Sequence, residues 1–366
     1  CCTSSNISTG WRAVSMSKTR VAIASEAFRG SPGEAMANRV RRRRACAPLA
    51  SAVRVANTAP VSVTVTQLTN QLVASYARSG GINHLDGKNL PSKTAIAGIT
   101  VDLLRLLFPG FFEEKPLHSS ELKVETATLM DSVQGRLEDE LLKALEYHPR
   151  DGDKKKDQRP EARHLTLEFL GSLPRLREVL QTDAEAAYNG DPAALSKEEV
   201  IVAYPFIEAI AVQRMAHELY RAEVALLPRI MTEWAHSRSG MDLHPGARIG
   251  THFFVDHCTG TVIGETSTIG NHVKMYQGVG LVARSLAGGQ TLKGQKRHPT
   301  LEDHVTIYAG STIVGGETVI GAHSTIGANV FLMHSVPPHS LVLYEDVKVK
   351  VLDKRAREKG RADFQI

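Results

Sequence analysis

Between Leu243 and Leu332 a six-residue phrase recurs: an aliphatic residue, then small or polar residues, often with a glycine among them. Leu243, Ile249 and Val255 keep the beat, followed by Ile263, Ile269, Met275 and Leu281, then Leu301, Ile307 and Ile313, and finally Ile320, Ile326 and Leu332, with slips of phase between the groups. A period of this length predicts a parallel β-helix. Each phrase builds one short strand and one turn. Three phrases close a triangular coil whose interior takes the aliphatic residue, and a glycine or small residue lets the chain bend. About five coils fit the repeat. A β-sandwich would instead require period-two alternation and Asn-Gly or Asp-Gly hairpins, and the run from Leu301 to Leu332 shows neither.

Upstream, from about Gln67 to Arg238, the periodicity is helical. Ile96, Ile99, Leu103 and Leu106 share one face, Leu137, Leu141 and Leu145 another, and Val212, Met215, Ala216 and Leu219 follow the i, i+3, i+4, i+7 pattern. These stripes predict an all-α domain over 63–240, punctuated by Pro109-Gly110 and by a solvated, charged loop from Asp151 to Arg163. Gly240 is placed to cap the last helix at its C-terminus, and the repeat begins at once, giving a β-helix domain over 241–343 and a charged tail over 344–366. The fold class is therefore α+β, with helices first and a parallel β-helix after them.

The 366 residues are enough for two or three structural units. No apolar run approaches the ~18 residues that would read as a membrane span, and no membrane association is expected. The net charge of +5 is concentrated at the N-terminus. Residues 1–62 carry Arg12, Lys18, Arg20, Arg29, Arg39, Arg41 to Arg44 and Arg54 against Glu26 and Glu34, among many Ser and Ala. That composition predicts an organelle transit peptide, for plastid or mitochondrion, with a cytoplasmic location if the segment is not a targeting signal. The Arg41 to Arg44 block could also bind phosphates, but no aromatic residues interleave with it and no nucleic-acid partner is expected. The first residue is Cys1 instead of Met, as expected of a reading frame that extends upstream. Cys1, Cys2 and Cys46 all fall in this segment, leaving Cys258 alone in the rest of the chain.

Where the repeat is broken, polar residues appear. Asp242 and His244 flank the first coil, Asp256-His257 interrupts the third phrase, and Arg284 to Arg297 loses the period altogether. This last stretch, rich in Gly, Lys and Arg, predicts a loop projecting from the coils and ending in Arg297-His298, of a kind suited to a phosphate-bearing ligand. An aspartate near His257 would fix its imidazole in one tautomer. Cys258, adjacent to that histidine, is expected to be buried or turn-lining, not a nucleophile, because neighbouring residues of a rung point in opposite directions.

The segments LHPGARIG, DHCTGTVIGET, RHPTLEDHVTIYAG and HSVPPHS, preceded by AYNGDPAAL and AYPFIEAIAVQRMAHELYR, resemble the serine O-acetyltransferases. The resemblance covers about Thr182 to Val342 strongly and the earlier helices weakly. It implies a left-handed coil, and transfer of acetyl from acetyl-CoA to the hydroxyl of L-serine, giving O-acetyl-L-serine for cysteine biosynthesis. By the same resemblance His257 is the general base, Asp242 its orienting partner and His298 a helper at the reacting centre. Asp191 and Asp256 take the serine ammonium, and Arg297 its carboxylate. Main-chain groups near Gly278, Ala309 and Ala328 line the CoA groove, which in the family lies between subunits of a trimer; a pair of trimers is the further possibility. This chain departs from the family in reading GVGLVA at Gly278 to Ala283 where members read GVTLGG, and in the extra residue of GGETVIG at Gly315 to Gly321. Ile366 stands where the family's C-terminal isoleucine inserts into O-acetylserine sulfhydrylase.

Two other readings fit the repeat. One is acetyl transfer to a sugar or other hydroxylated small molecule. The other is a zinc enzyme of the carbonic anhydrase kind, with His252 and His257 at one plausible spacing and His244 or His272 as further ligands. The serine-binding set favours the acetyltransferase, for which no metal is expected.

Overall fold

The computed structural model describes residues 63–150, 152 and 155–345. The basic N-terminal segment with its three cysteines, and the tail ending in Ile366, lie outside the described residues. The described residues fall into two compact units, divided between Gly81 and Ile82. In the first, helix α1 (Val65–Arg78) is closed by a capping box: the Thr64 side chain accepts from the Gln67 amide while the Gln67 side chain accepts from the Thr64 amide.

The second unit opens with α2 (Lys93–Leu107), α3 (Leu122–Tyr147), α4 (Arg159–Gly190), α5 (Lys197–Ala203), α6 (Pro205–Arg221) and α7 (Leu227–Ser239). The stripes read from sequence are its core. Ile96, Ile99 and Leu103 are buried on α2, Leu137, Leu141 and Leu145 on α3, and Val212, Met215, Ala216 and Leu219 on α6. The charged stretch expected to be loop as far as Arg163 is helical from Arg159, because Pro160 sits in the first turn, where its missing N–H costs nothing. Gly240 caps α7 in the left-handed region, with φ 73°.

From Asp242 the chain winds into three parallel sheets, a triangular prism of the left-handed β-helix class. The first sheet stacks Asp242–Leu243, Val262–Ile263, Gly280–Val282, Thr312–Val314 and Phe331–Leu332. The second stacks Arg248–Ile249, Thr268–Ile269, Thr300–Leu301 and Val319–Ile320, and the third runs from Phe254–Val255 through Lys274–Met275, Thr306–Ile307 and Thr325–Ile326 to Leu341–Val342. Every pairing between these strands is parallel, which excludes the sandwich. Asp242 pairs with Val262, so the first coil takes 20 residues, whereas Leu281 pairs with Ile313 because the projecting loop is inserted between them. The repeating aliphatic residues point inward, and Met275, Leu281, Ile307, Ile313, Ile320 and Ile326 have no exposed surface.

Helices and prism share one continuous core. Phe206 of α6 packs edge-on against Phe254, with ring centroids 5.3 Å apart. Beside it Arg214 spans the junction: Nε and Nη2 donate to the Asp183 carboxylate at 2.7 and 3.0 Å, while Nη1 and Nη2 donate to the carbonyls of Ile249 and Gly250 at 3.0 and 2.7 Å. Asp183 also accepts from the Phe253 amide at 3.0 Å. Two polar side chains from neighbouring helices thus satisfy main-chain groups of the first coil that would otherwise be buried unpaired.

The prism has three edges, and the polar exceptions to the repeat distribute among them. The turns joining the first and second sheets make the first edge, and those joining the second and third sheets make the second. The third edge returns the chain to the first sheet. Along the second edge His252, His272, His304, His323 and His339 form a ladder of stacked rings, with centroids 4.1 to 4.9 Å apart. All five adopt positive φ between 54° and 61°, a region in which histidine is several-fold enriched among non-glycine residues.

Candidate active site

The third edge carries His257. This residue and Cys258 adopt φ of 61° and 55°, a sharp turn that leaves the imidazole exposed and turns the thiol inward. The His257 Nδ1 lies 3.4 Å from the Asp256 carboxylate. Asp242, expected to orient His257, flanks the same edge from the first sheet, but its ion pair is with Arg229, at 3.6 Å. Asp256 and Asp242 thus both border the turn that carries His257.

Asp191 reaches this edge from the C-terminal end of α4. Its Oδ1 accepts from the Ala193 amide at 2.8 Å and its Oδ2 from the Tyr204 hydroxyl at 2.5 Å. These two bonds hold the Asp191 carboxyl below its usual range, helped by the nearby positive charge of Lys274 and by His257. The same contact pushes the Tyr204 phenol up to about 12. Below His257 the same edge carries Tyr276 and Tyr308, whose rings stack 5.0 Å apart, and a column of glycines. Gly260, Gly278 and Gly310 stack in a column in which a Cβ on Gly278 would meet the Gly310 backbone at an ordinary contact distance of 3.5 Å. Ala309 and Ala328 occupy the rungs beside and beneath this column, half-buried and exposed respectively.

Cys258 is buried, and burial pushes its thiol up to about 12. A thiol so protonated is no nucleophile. In the folded protein Cys258 is expected to resist iodoacetamide over hours at pH 8 and to react on unfolding in guanidinium chloride, as peptide mass spectrometry would show.

The first edge carries the second group. Arg297 donates from Nη2 to Glu265, which also accepts from the Tyr220 hydroxyl at 2.7 Å. Burial works to raise the Glu265 pKa, but Tyr220 and Arg297 outweigh it and hold the carboxyl below its usual range. The Arg297 Nη1 is buried without a hydrogen-bond partner. Next to it the Nδ1 of His298 accepts from the Thr266 amide at 3.1 Å, so a neutral ring carries its proton on Nε2. Burial, with Arg297 nearby, lowers its pKa to about 4, and His244 on the same edge is lowered to about 4 by burial and Arg229.

Both imidazoles are thus neutral in the fold at neutral pH, while the unfolded chain binds protons near pH 6.5. On acidification the unfolded state takes up protons that the folded state refuses. Stability is expected to fall as pH drops from 6.5 towards about 4. Thermal melts across this range should show a flatter dependence for His298→Gln.

The predicted residues therefore form two groups. Asp191, Asp256 and His257 converge with the Gly278, Ala309 and Ala328 strip at the third edge. Arg297 and His298 stand on the first. Tyr204, Glu265 and Tyr220 were not read from sequence, since a helix-start tyrosine and a turn glutamate carry no periodic signal. The histidines considered for zinc do not converge within the chain: His252 and His272 belong to the ladder on the second edge, His257 to the third edge and His244 to the first. Among the described residues, Glu233, His236 and Asp242 place ligand atoms close together, but Arg229 already pairs with both carboxylates, at 2.7 Å to Glu233.

Comparison with known proteins places this prism and its bordering helices in the acyltransferase class. No protein-family model matches the chain. It is 41% identical over 266 residues to a plasmid-borne serine acetyltransferase of Synechococcus elongatus, spanning 71% of this chain and 83% of that one. It is also 41% identical over 165 residues to the serine acetyltransferase of Bacillus subtilis, covering 45% of this chain and 73% of the relative. The chain belongs to the serine acetyltransferase family. Among solved structures, serine acetyltransferase isoform 3 of Entamoeba histolytica in complex with cysteine aligns with a TM-score of 0.61 at 30% identity, covering 79% of this chain and 95% of that one. The native serine acetyltransferase 1 of the same organism aligns at 0.60 and 31% identity, covering 76% and 97%.

Proposed function

We propose that the chain transfers acetyl from acetyl-CoA to the hydroxyl of L-serine, at sites completed between neighbouring subunits of a homotrimer. The observation that carries this reading is the buried, unpartnered Nη1 of Arg297. A buried guanidinium N–H without an acceptor costs stability, and a substrate carboxylate supplies the acceptor. The half-sites lie on different edges of a stiff prism, so one chain does not bring Arg297 to His257. A three-fold assembly sets the first edge of one copy against the third edge of the next, in a closed heterologous contact.

In such a site Asp191 and Asp256 offer two carboxylates to the serine ammonium, and Arg297 offers a guanidinium to its carboxylate. His257 removes the hydroxyl proton as the serine oxygen bonds to the thioester carbon; the C–S bond then breaks and CoA departs as its thiolate, which takes up the proton from the imidazolium. His298, fixed as an Nε2–H donor, suits the carbonyl oxygen as negative charge develops there. The small residues Gly278, Ala309 and Ala328 leave room and main-chain groups for the extended arm of acetyl-CoA. Val282 and Ala283, where the family has glycines, lie at the first-edge end of the first sheet.

Thiol release from acetyl-CoA with L-serine, L-homoserine or a sugar as acceptor tests the assignment. Serine is expected to be the preferred acceptor by a wide margin. Release with the sugar and none with serine would overturn it.

A further inference from the structure

The loop that carries Asp191 is tied to the prism by a residue outside the family motifs. Lys274 lies on the third sheet, one position before the interior residue Met275. Its Nζ donates to the Gly190 carbonyl at 2.6 Å. Gly190 is the last residue of α4, and Asp191 follows it as the C-terminal cap in an extended conformation. The last turn of α4 contains no basic residue, although a helix C-terminus presents unpaired carbonyls and a partial negative charge that favour a cation. Lys274 supplies that cation from another part of the fold.

The ammonium is closely enclosed. It sits over the rings of Phe254 and Tyr276, 5.4 and 4.8 Å from their centroids, in the geometry of a cation–π contact. Gly190 approaches the same aromatic wall so closely that a Cβ there would lie 2.9 Å from Phe254 Cδ1. The helix end, the phenylalanine of the rung above and the lysine thus fix one another. Tyr204 and the Ala193 amide hold the carboxylate of Asp191 directly; Lys274 holds the main chain from which that carboxylate projects.

We propose that Lys274 is a positioning residue for substrate binding: by capping α4 from the prism, it sets the Asp191 carboxylate against His257 so that the serine ammonium and hydroxyl are held together. Lys274 itself touches no reacting atom. The inference rests on reading Asp191 as a ligand of the serine ammonium, and Lys274 then acts on serine and not on acetyl-CoA. Removal of the tether lowers the fraction of molecules in which Asp191 is in place, which weakens serine binding in ground and transition states alike.

The test compares Lys274→Met, Lys274→Arg and Asp191→Asn with wild type in the full chain. Methionine keeps an unbranched apolar stem one atom shorter than that of lysine, and removes the ammonium with its N–H donors and cation–π contacts. Lys274→Met is expected to raise the KM for serine about tenfold, with kcat and the KM for acetyl-CoA within about twofold of wild type, the pattern of lost uniform binding. Amide hydrogen exchange over 191–195 should quicken in this variant, because the loop opens more often, and Lys274→Arg should restore most of both effects. An unchanged serine KM, or equal rises in both KM values, would overturn the inference. So would unchanged exchange over 191–195, a readout that needs no activity. If Asp191→Asn leaves the serine KM unchanged while Lys274→Met quickens exchange, the tether is present but Asp191 is not the ammonium ligand, and the positioning role falls. Absence of any serine-dependent thiol release from wild type would instead strike the functional assignment itself.

Discussion

Replacement of His257 by alanine is expected to lower kcat for acetyl transfer to serine about 10²- to 10⁴-fold, the usual contribution of a positioned general base. The serine hydroxyl is a weak nucleophile at neutral pH, and at the third edge His257 offers an exposed imidazole as its base. Cys258 is buried and protonated, and the carboxylates of Asp191 and Asp256 are placed for the ammonium. The substitution should leave the fold standing, since the His257 side chain is 68% exposed. One control matters because His257 has φ of 61°. Asparagine tolerates this region better than alanine and cannot act as a base, so His257→Asn should lose the same activity with less effect on stability. Rates measured by thiol release, with melting temperatures for both variants, separate chemistry from folding. Retention of full turnover by either variant would remove His257 from the mechanism.

Asp183→Ala is expected to produce the largest loss of stability among single polar substitutions. Asp183 is fully buried and supplies both carboxylate oxygens to Arg214, whose guanidinium also holds the first coil through Ile249 and Gly250. Removal of the carboxylate leaves a buried positive charge uncompensated, at a cost of about 3–5 kcal/mol. For a unit of this size that corresponds to a fall in melting temperature of roughly 10 °C. The double variant Asp183→Leu/Arg214→Met removes both charges and should be less destabilised than the single one, because no charge is stranded. Thermal unfolding followed by circular dichroism measures both. Equal losses in single and double variants would mean that packing, and not the ion pair, governs the junction.

Much of the architecture is legible in the sequence because it rests on periodicity. Thirteen aliphatic positions marked the prism interior, and all but Ile249 and Leu332 are buried. The helical stripes behave likewise, with Leu106 only partly covered. What escaped depends on quantities that a period does not carry. The histidine ladder was hidden because its members are separated by coils of unequal length and by the projecting loop. The assignment of Arg297 and His257 to different edges follows from register, which is set only when Leu301 is seen to pair with Ile269. The Arg214–Asp183 bridge and the Lys274 tether join elements distant in the chain, and neither residue type is unusual where it stands. The Arg229–Asp242 pair likewise joins α7 to the first strand of the prism, a contact that no period marks.

The central claim is that serine acetylation requires the third edge of one subunit and the first edge of another. His257→Ala and Arg297→Met each spoil one half-site and leave the other intact, so mixing them tests the claim directly. The two variants, unfolded together at equal concentration and refolded, should form mixed trimers in which about a quarter of the interfaces join an intact third edge to an intact first edge, by random assortment around a three-fold ring. The account predicts that serine-dependent thiol release from the mixture reaches about a quarter of the wild-type rate, far above either variant alone. A mixture no more active than the sum of its separately refolded components would contradict it.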